Sequence, residues 1–161
     1  MTNRNARLLF FFLVLALSAC RVQDQIDADP SAECLIKLRA EEKFSSLQTY
    51  TPIVLLPGEY TEKHLADVAR PSIEYINLLE LFDQRRIECV DSARNYRRSH
   101  HPKEVTEEIE RYSKEYTELV HKLKNGLTFG EFNTLYVKAH RQFTINLNRM
   151  RGNNFGREQG E

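Results

Sequence analysis

The chain has 161 residues and carries 23 basic and 23 acidic side chains, a formal net charge of zero at pH 7. That balance argues against a nucleic-acid partner, which requires a strongly basic face. The length beyond residue 20 suits one domain of ordinary size and not two.

The first segment is set apart by composition. Arg4 and Arg7 give it a positive start, Leu8 to Leu17 form a short apolar run, and it ends in Leu17-Ser18-Ala19-Cys20. A charged start, an apolar stretch of roughly 7–15 residues and small residues at a cut make a secretory signal. The run falls short of the ~20 apolar residues needed to cross a bilayer. In motif, position and flanks, residues 1–20 resemble a bacterial lipoprotein signal peptide, whose lipobox reads Leu, a small residue, Ala or Gly, then Cys. The resemblance implies removal of residues 1–19 and lipid attachment to the Cys20 sulfur. Two acyl chains already give stable anchoring, so the first partner implied is a lipid bilayer. In such lipoproteins Asp after the cysteine favours the inner membrane. Arg21 stands there instead, which implies the outer membrane, with the domain facing the periplasm.

Setting Cys20 aside for lipid leaves Cys34 and Cys89 as an even pair in an oxidising compartment. A bridge between them closes a loop of about 55 residues, worth ~4 kcal/mol on the chain-entropy model. The alternative is two buried free thiols. Without Arg4 and Arg7, the charge becomes 21 basic against 23 acidic.

Residues 20–28 read as a polar, lipidated tether. Asp29-Pro30 then opens a helix, with Asp29 as cap and Pro30 at the first helical position. It is expected to reach about Gln48, burying Cys34, Leu35, Leu38, Phe44 and Leu47. Pro52 and Pro57 bracket an extended apolar run that cannot continue it. Thr61–Ala69 forms a short helix, broken by Pro71. A long helix is expected from Ser72 to about Arg98, with Ile73, Ile76, Leu79, Phe82, Cys89, Val90 and Ala93 at helical spacing. His100-His101-Pro102 ends it.

Val105, Ile109, Tyr112, Tyr116, Leu119 and Leu123 follow at spacings of 4, 3, 4, 3 and 4, the seam of a helical bundle. Asn125-Gly126 supplies a left-handed cap, and Thr128-Phe-Gly-Glu131 has the spacing of a capping box. The last helix therefore starts near Phe129 and turns straight back, with Phe132, Tyr136, Ala139, Phe143 and Met150 on its apolar side. Residues 102–120 hold six acidic and three basic groups, and 121–161 seven basic and three acidic, which suits two helices side by side. The tail 151–161 has little to bury and is expected to be disordered. The fold expected is all-α, a small antiparallel bundle of about four helices over residues 29–150 with one disulfide. Cys34 and Cys89 meet if the first two helices run antiparallel.

Constellations for chemistry are weak. Glu118 and His121 form a single Glu-x-x-His, whereas a di-iron bundle needs two of these and two further glutamates pointing inward. Both residues face away from the seam and read as solvated surface. His100-His101 could meet a transition metal, but Arg97, Arg98 and Lys103 beside them repel cations, so a basic turn is the better reading. His64 and His140 have no companions at ligand spacing. Glu104, Glu107, Glu108 and Glu110 read as the wet face of an amphipathic helix. No Gly-x-Ser-x-Gly and no phosphate-binding glycine loop occurs, and nothing in the composition calls for a cofactor or metal.

What remains is surface. Ile53, Val54, Leu55 and Leu56 form an apolar loop able to meet a partner or to pack over the bundle end. Arg97, Arg98, His100 and His101 form the basic turn, and Lys138, Arg141 and Arg149 lie on the last helix. Tyrosines suit interfaces, although Tyr112 and Tyr116 sit on the seam. The function expected is that of a lipid-anchored, periplasm-facing scaffold module that binds another envelope protein and is not an enzyme. The rivals are a ligand- or peptidoglycan-binding lipoprotein, an exclusion or immunity lipoprotein, and an enzyme or metal bundle with a site assembled from distant residues.

Overall fold

The computed structural model describes residues 29–52 and 60–157, and for 151–157 the backbone alone. Cys20, the tether and the Ile53–Leu56 loop lie outside the described residues. Among the described residues the chain is all-helical. There are six α-helices and one 3₁₀ helix where about four helices are expected, because two of the expected long helices are broken.

The first helix, α1 (Pro30–Arg39), starts as its residues dictate. Asp29 Oδ1 accepts from the Ser31 amide at 2.8 Å and from the Ser31 hydroxyl at 2.7 Å, with Pro30 in the first turn. The helix stops at Ala40 and does not continue to Gln48. Glu41 is extended, and a 3₁₀ helix (Glu42–Thr49) follows. The break re-aims the chain so that Phe44 and Leu47, both fully buried, enter the core. Phe44 meets Phe82 edge-on at 5.1 Å between ring centres.

A single turn, α2 (Glu62–Leu65), precedes α3 (Ile73–Ser92), whose cap Ser72 accepts from the Tyr75 amide at 3.2 Å. The expected run to Arg98 is interrupted at Ala93, which is fully buried, and a separate helix α4 (Arg94–His100) follows. The interruption has a physical purpose that the periodicity conceals. It frees the Val90 carbonyl to accept from the Arg97 guanidinium, and it carries Arg97 inward.

The long helix α5 (Lys103–Lys124) ends at Gly126, whose φ of 119° is the left-handed conformation that glycine alone adopts without strain. The Leu127 amide reaches back to the Lys122 carbonyl at 3.2 Å, completing a Schellman closure. The capping box before α6 (Phe129–Arg157) is formed in both directions. The Glu131 amide donates to Thr128 Oγ1 at 3.2 Å, and the Thr128 amide donates to Glu131 Oε2 at 2.8 Å. The helix is described past Met150, as far as Arg157. Gly130 is required by close approach, because a Cβ there would stand 2.5 Å from the Leu65 carbonyl oxygen.

Cross-contacts give the topology. Glu41 meets Arg85, Arg86 meets Ser113, Lys124 meets Glu80, and Tyr112 meets His140. Each successive long helix, α1, α3, α5 and α6, therefore runs antiparallel to the last. The closed end of the bundle is tied by Asn133, fully buried, which donates to the Tyr50 carbonyl at 2.8 Å and to the His64 carbonyl at 3.0 Å.

Cys34 and Cys89 stand at disulfide distance with Cα atoms 5.5 Å apart, joining α1 to the last turns of α3. Replacing both by serine is expected to lower stability by about 4 kcal/mol from loop entropy. An unchanged urea midpoint would contradict it.

Candidate functional site

At the end of the bundle opposite Asn133 the core is not filled. An open cleft of about 420 Å³ lies between α1 and α6, with α3 and α5 as its floor. Each helix contributes a stripe at the spacing that its own period allows. These are Ala32, Leu35 and Arg39 from α1, and Phe82, Arg86 and Val90 from α3. From α5 come Val105, Ile109, Tyr112 and Tyr116, and from α6 Tyr136, His140, Phe143 and Leu147. Asp29, His101 and Pro102 close one end. The cause is the packing of α1, which lies mainly against α3 and leaves the gap to α6 unspanned. Hence the heptad seam divides. Tyr116, Leu119 and Leu123 are buried, whereas Val105, Ile109 and Tyr112 are only half-buried. The sequence reading treats all six as core; the spacing shows the stripe but not the missing partner.

The walls are aromatic and ordered. Phe143 stacks on Tyr112 at 4.4 Å, and Tyr116 meets Tyr136 edge-on at 5.6 Å. The Tyr112 hydroxyl and His140 Nδ1 lie 3.1 Å apart. Burial pushes the hydroxyls of Tyr112, Tyr116 and Tyr136 above the usual tyrosine range, so all three keep their protons. Burial also holds His140 below the ordinary histidine range, with the charge of Arg39 acting in the same direction. His101 is lowered too, first by burial; the charges of Arg97 and His100 add to this and Asp29 opposes it. Both histidines are neutral at pH 7.

The charges around the cleft are matched with one exception. Arg86 donates from Nε to Asp83 at 2.8 Å and from its other nitrogens to Ser113 and Thr117, and its guanidinium lies 4.4 Å from the centre of the Tyr116 ring. Asp29 lies 3.5 Å from Arg97. Arg39 has no ion-pair or hydrogen-bond partner among the described residues, and its Nε is buried without one. The Tyr116 hydroxyl is likewise buried and unpartnered.

The surface residues singled out from sequence are scattered. Arg97 is not part of an exposed basic turn. It is fully buried, donating to Ser31 Oγ at 3.3 Å and to the Val90 carbonyl. A guanidinium has five donors; the α1 cap and the end of α3 present acceptors to its two terminal nitrogens, while its Nε is buried without a partner. Arg98 and His100 are exposed, with His100 stacked on Tyr96 at 4.2 Å, while His101 turns into the rim of the cleft. Lys138, Arg141 and Arg149 are exposed on one face of α6 together with Ile145. Glu118 and His121 are exposed, and among the described residues no three His, Cys or carboxylate side chains come together. Glu108 is corrected from wet face to buried. It accepts from Arg111 at 2.7 and 2.8 Å and from Asn146 at 2.9 Å, and these bonds hold its carboxyl below the usual range.

No protein-family model matches the chain, and comparison with curated proteins and with solved structures finds no match. Fold and cleft alone therefore define the class, a helical bundle with a cysteine pair at disulfide distance and an apolar cleft at one end.

Two outcomes follow. Arg97→Met strands Asp29 and the freed carbonyl, and is expected to cost about 3–5 kcal/mol, as breaking a buried ion pair does; a urea midpoint close to that of the native chain would contradict the pinning role. The depressed histidines give a pH signature. The unfolded chain binds protons near pH ~6.5 and the folded chain only lower, so stability is full above that value and falls as pH drops through the folded values. His140→Gln is expected to flatten the stability profile between about pH 7 and 5, above the range where carboxylates titrate. An equally steep loss in the variant would rule out the depressed His140 as its source.

Proposed function

We propose that the chain is a lipoprotein of the bacterial envelope, anchored through Cys20, whose helical bundle is a binding module with the apolar cleft as its binding site. The observation that carries this reading is the cleft itself. Its volume of about 420 Å³ falls within the ~300–1,000 Å³ of small-molecule sites, and its lining has their character, apolar and aromatic with a few convergent polar groups. The lipobox supports the anchor. The role is retention or presentation of a ligand at a membrane surface, not catalysis.

A second reading, docking of another envelope protein, is favoured by the exposed stripe Lys138, Arg141, Ile145 and Arg149 on α6. With Arg97 withdrawn into the core and the Ile53–Leu56 loop outside the described residues, that stripe and the exposed pair Arg98 and His100 are the remaining support for a protein partner.

Two measurements test the main reading together. Cells fed a labelled fatty acid are expected to incorporate it into the native chain, which stays with the membranes, and not into Cys20→Ala. The neutral dye Nile red is expected to brighten on the bundle, and Val105→Gln with Ile109→Gln to abolish the gain while helical circular dichroism is kept. An unlabelled native chain would overturn the anchor, and undiminished brightening in the double variant would overturn the cleft as the site.

A further inference from the structure

The cleft has a polarity that its volume alone does not convey. Of the charged groups lining it, Arg86 has Asp83 at 2.7 Å and Asp29 has Arg97 at 3.5 Å. Arg39 alone has no counter-ion among the described residues. It lines the cleft together with Tyr112, Tyr136 and His140. The second unmet group is the Tyr116 hydroxyl, on a residue only 3% exposed, buried and without a partner.

A guanidinium can only donate, and the Tyr116 hydroxyl, holding its proton, has a donor unspent. Arg39 is half-buried, with its Nε fully covered, and the Tyr116 hydroxyl is covered too; a covered donor left unpaired costs free energy that a bound acceptor would recover. What the cleft lacks is therefore an acceptor, and an anionic one suits Arg39 best, because charge-assisted bonds of Arg to carboxylate are the strong class. The rest of the lining, Leu35, Val90, Val105, Ile109, Phe143 and Leu147, offers such a molecule only apolar contact.

From these donors and this lining we infer that the cleft takes a free single-chain anionic amphiphile, a fatty-acid-like molecule whose carboxylate pairs with Arg39 and whose apolar chain lies between α1 and α6. The inference rests on the cleft being the binding site and adds the class of ligand. An acyl chain of the lipid carried on Cys20, bound as an ester or an amide, would fill the apolar part but would bring no carboxylate to Arg39. The unpaired cation thus favours the free acid over the chain's own anchor.

The test uses residues 20–161 carrying Cys20→Ser, so that no attached acyl chain competes. Dodecanoate, below its critical micelle concentration, and its neutral amide, dodecanamide, within its solubility limit, are each titrated at pH 7.5 by calorimetry. Dodecanoate is expected to bind at least about tenfold more tightly than the amide, a factor equal to ~1.4 kcal/mol. Arg39→Gln is expected to bring the acid down to the level of the amide, and Arg39→Lys to keep part of the preference. Equal affinity of acid and amide in the native-sequence cleft, or a preference that survives Arg39→Gln, would overturn the inference and leave the cleft reading intact. Failure of both ligands to bind would overturn the two together.

Discussion

The pinning of α1 to the end of α3 is the constraint on which the rest of the structure depends. Two contacts of different kinds make it. Cys34 and Cys89 meet across the antiparallel pair, and Arg97 reaches from α4 to Asp29 and Ser31 at the very start of α1. Together they hold a ten-residue helix, too short to be stable alone, against one neighbour. Held there, α1 cannot also close on α6, and the cleft is the space left over. A longer α1, or one free to roll, would bury the half-exposed seam of α5 and leave an ordinary bundle core.

The buried charges show how the molecule tolerates this arrangement. Burying a guanidinium is costly unless its donors are met and its charge is balanced. Arg97 and Arg86 each find a carboxylate and further acceptors. Glu108, at the far side of the same end of the bundle, finds Arg111 and Asn146. These polar clusters fix the register of α3 on α5 and of α5 on α6 at the open end, where apolar packing is thinnest. At the closed end filled volume does more, with Phe44, Leu47, Leu79, Leu123 and Phe132 all nearly or fully buried and Asn133 tying in the Tyr50 and His64 carbonyls. The division accords with the proposed role, since a cleft that admits ligand needs walls set by specific bonds more than by filled volume.

Much of the architecture is legible in the sequence, because local rules govern it. Asp29-Pro30, Asn125-Gly126 and the Thr128–Glu131 box are caps with short-range signatures, and the α5 seam is a clean heptad. The antiparallel placement of Cys34 against Cys89 follows from two helix positions. What the sequence hides is non-local. The breaks at Ala40 and Ala93 fall in stretches with good helical spacing and carry no proline or glycine; they arise because Phe44, Leu47 and Arg97 gain more from the core than the continuous helix would supply. Arg97 looked like surface because arginine usually is. Its burial depends on acceptors 66 residues away. The cleft is hidden for the same reason, since a periodic stripe looks identical whether or not a fourth helix covers it. Arg39 and Tyr116 could have been found only by asking which core-facing polar groups lack a partner, a question that needs coordinates.

The central claim is that the space between α1 and α6 holds a ligand in the working protein. Native mass spectrometry tests it most directly, on residues 20–161 carrying Cys20→Ser, produced in bacterial cells and purified without detergent. The account predicts a noncovalent adduct of fatty-acid mass on a substantial fraction of the molecules, absent when Val105 and Ile109 are both changed to glutamine. A chain that appears only at its bare mass, with titrated dodecanoate failing to add to it, would contradict the account.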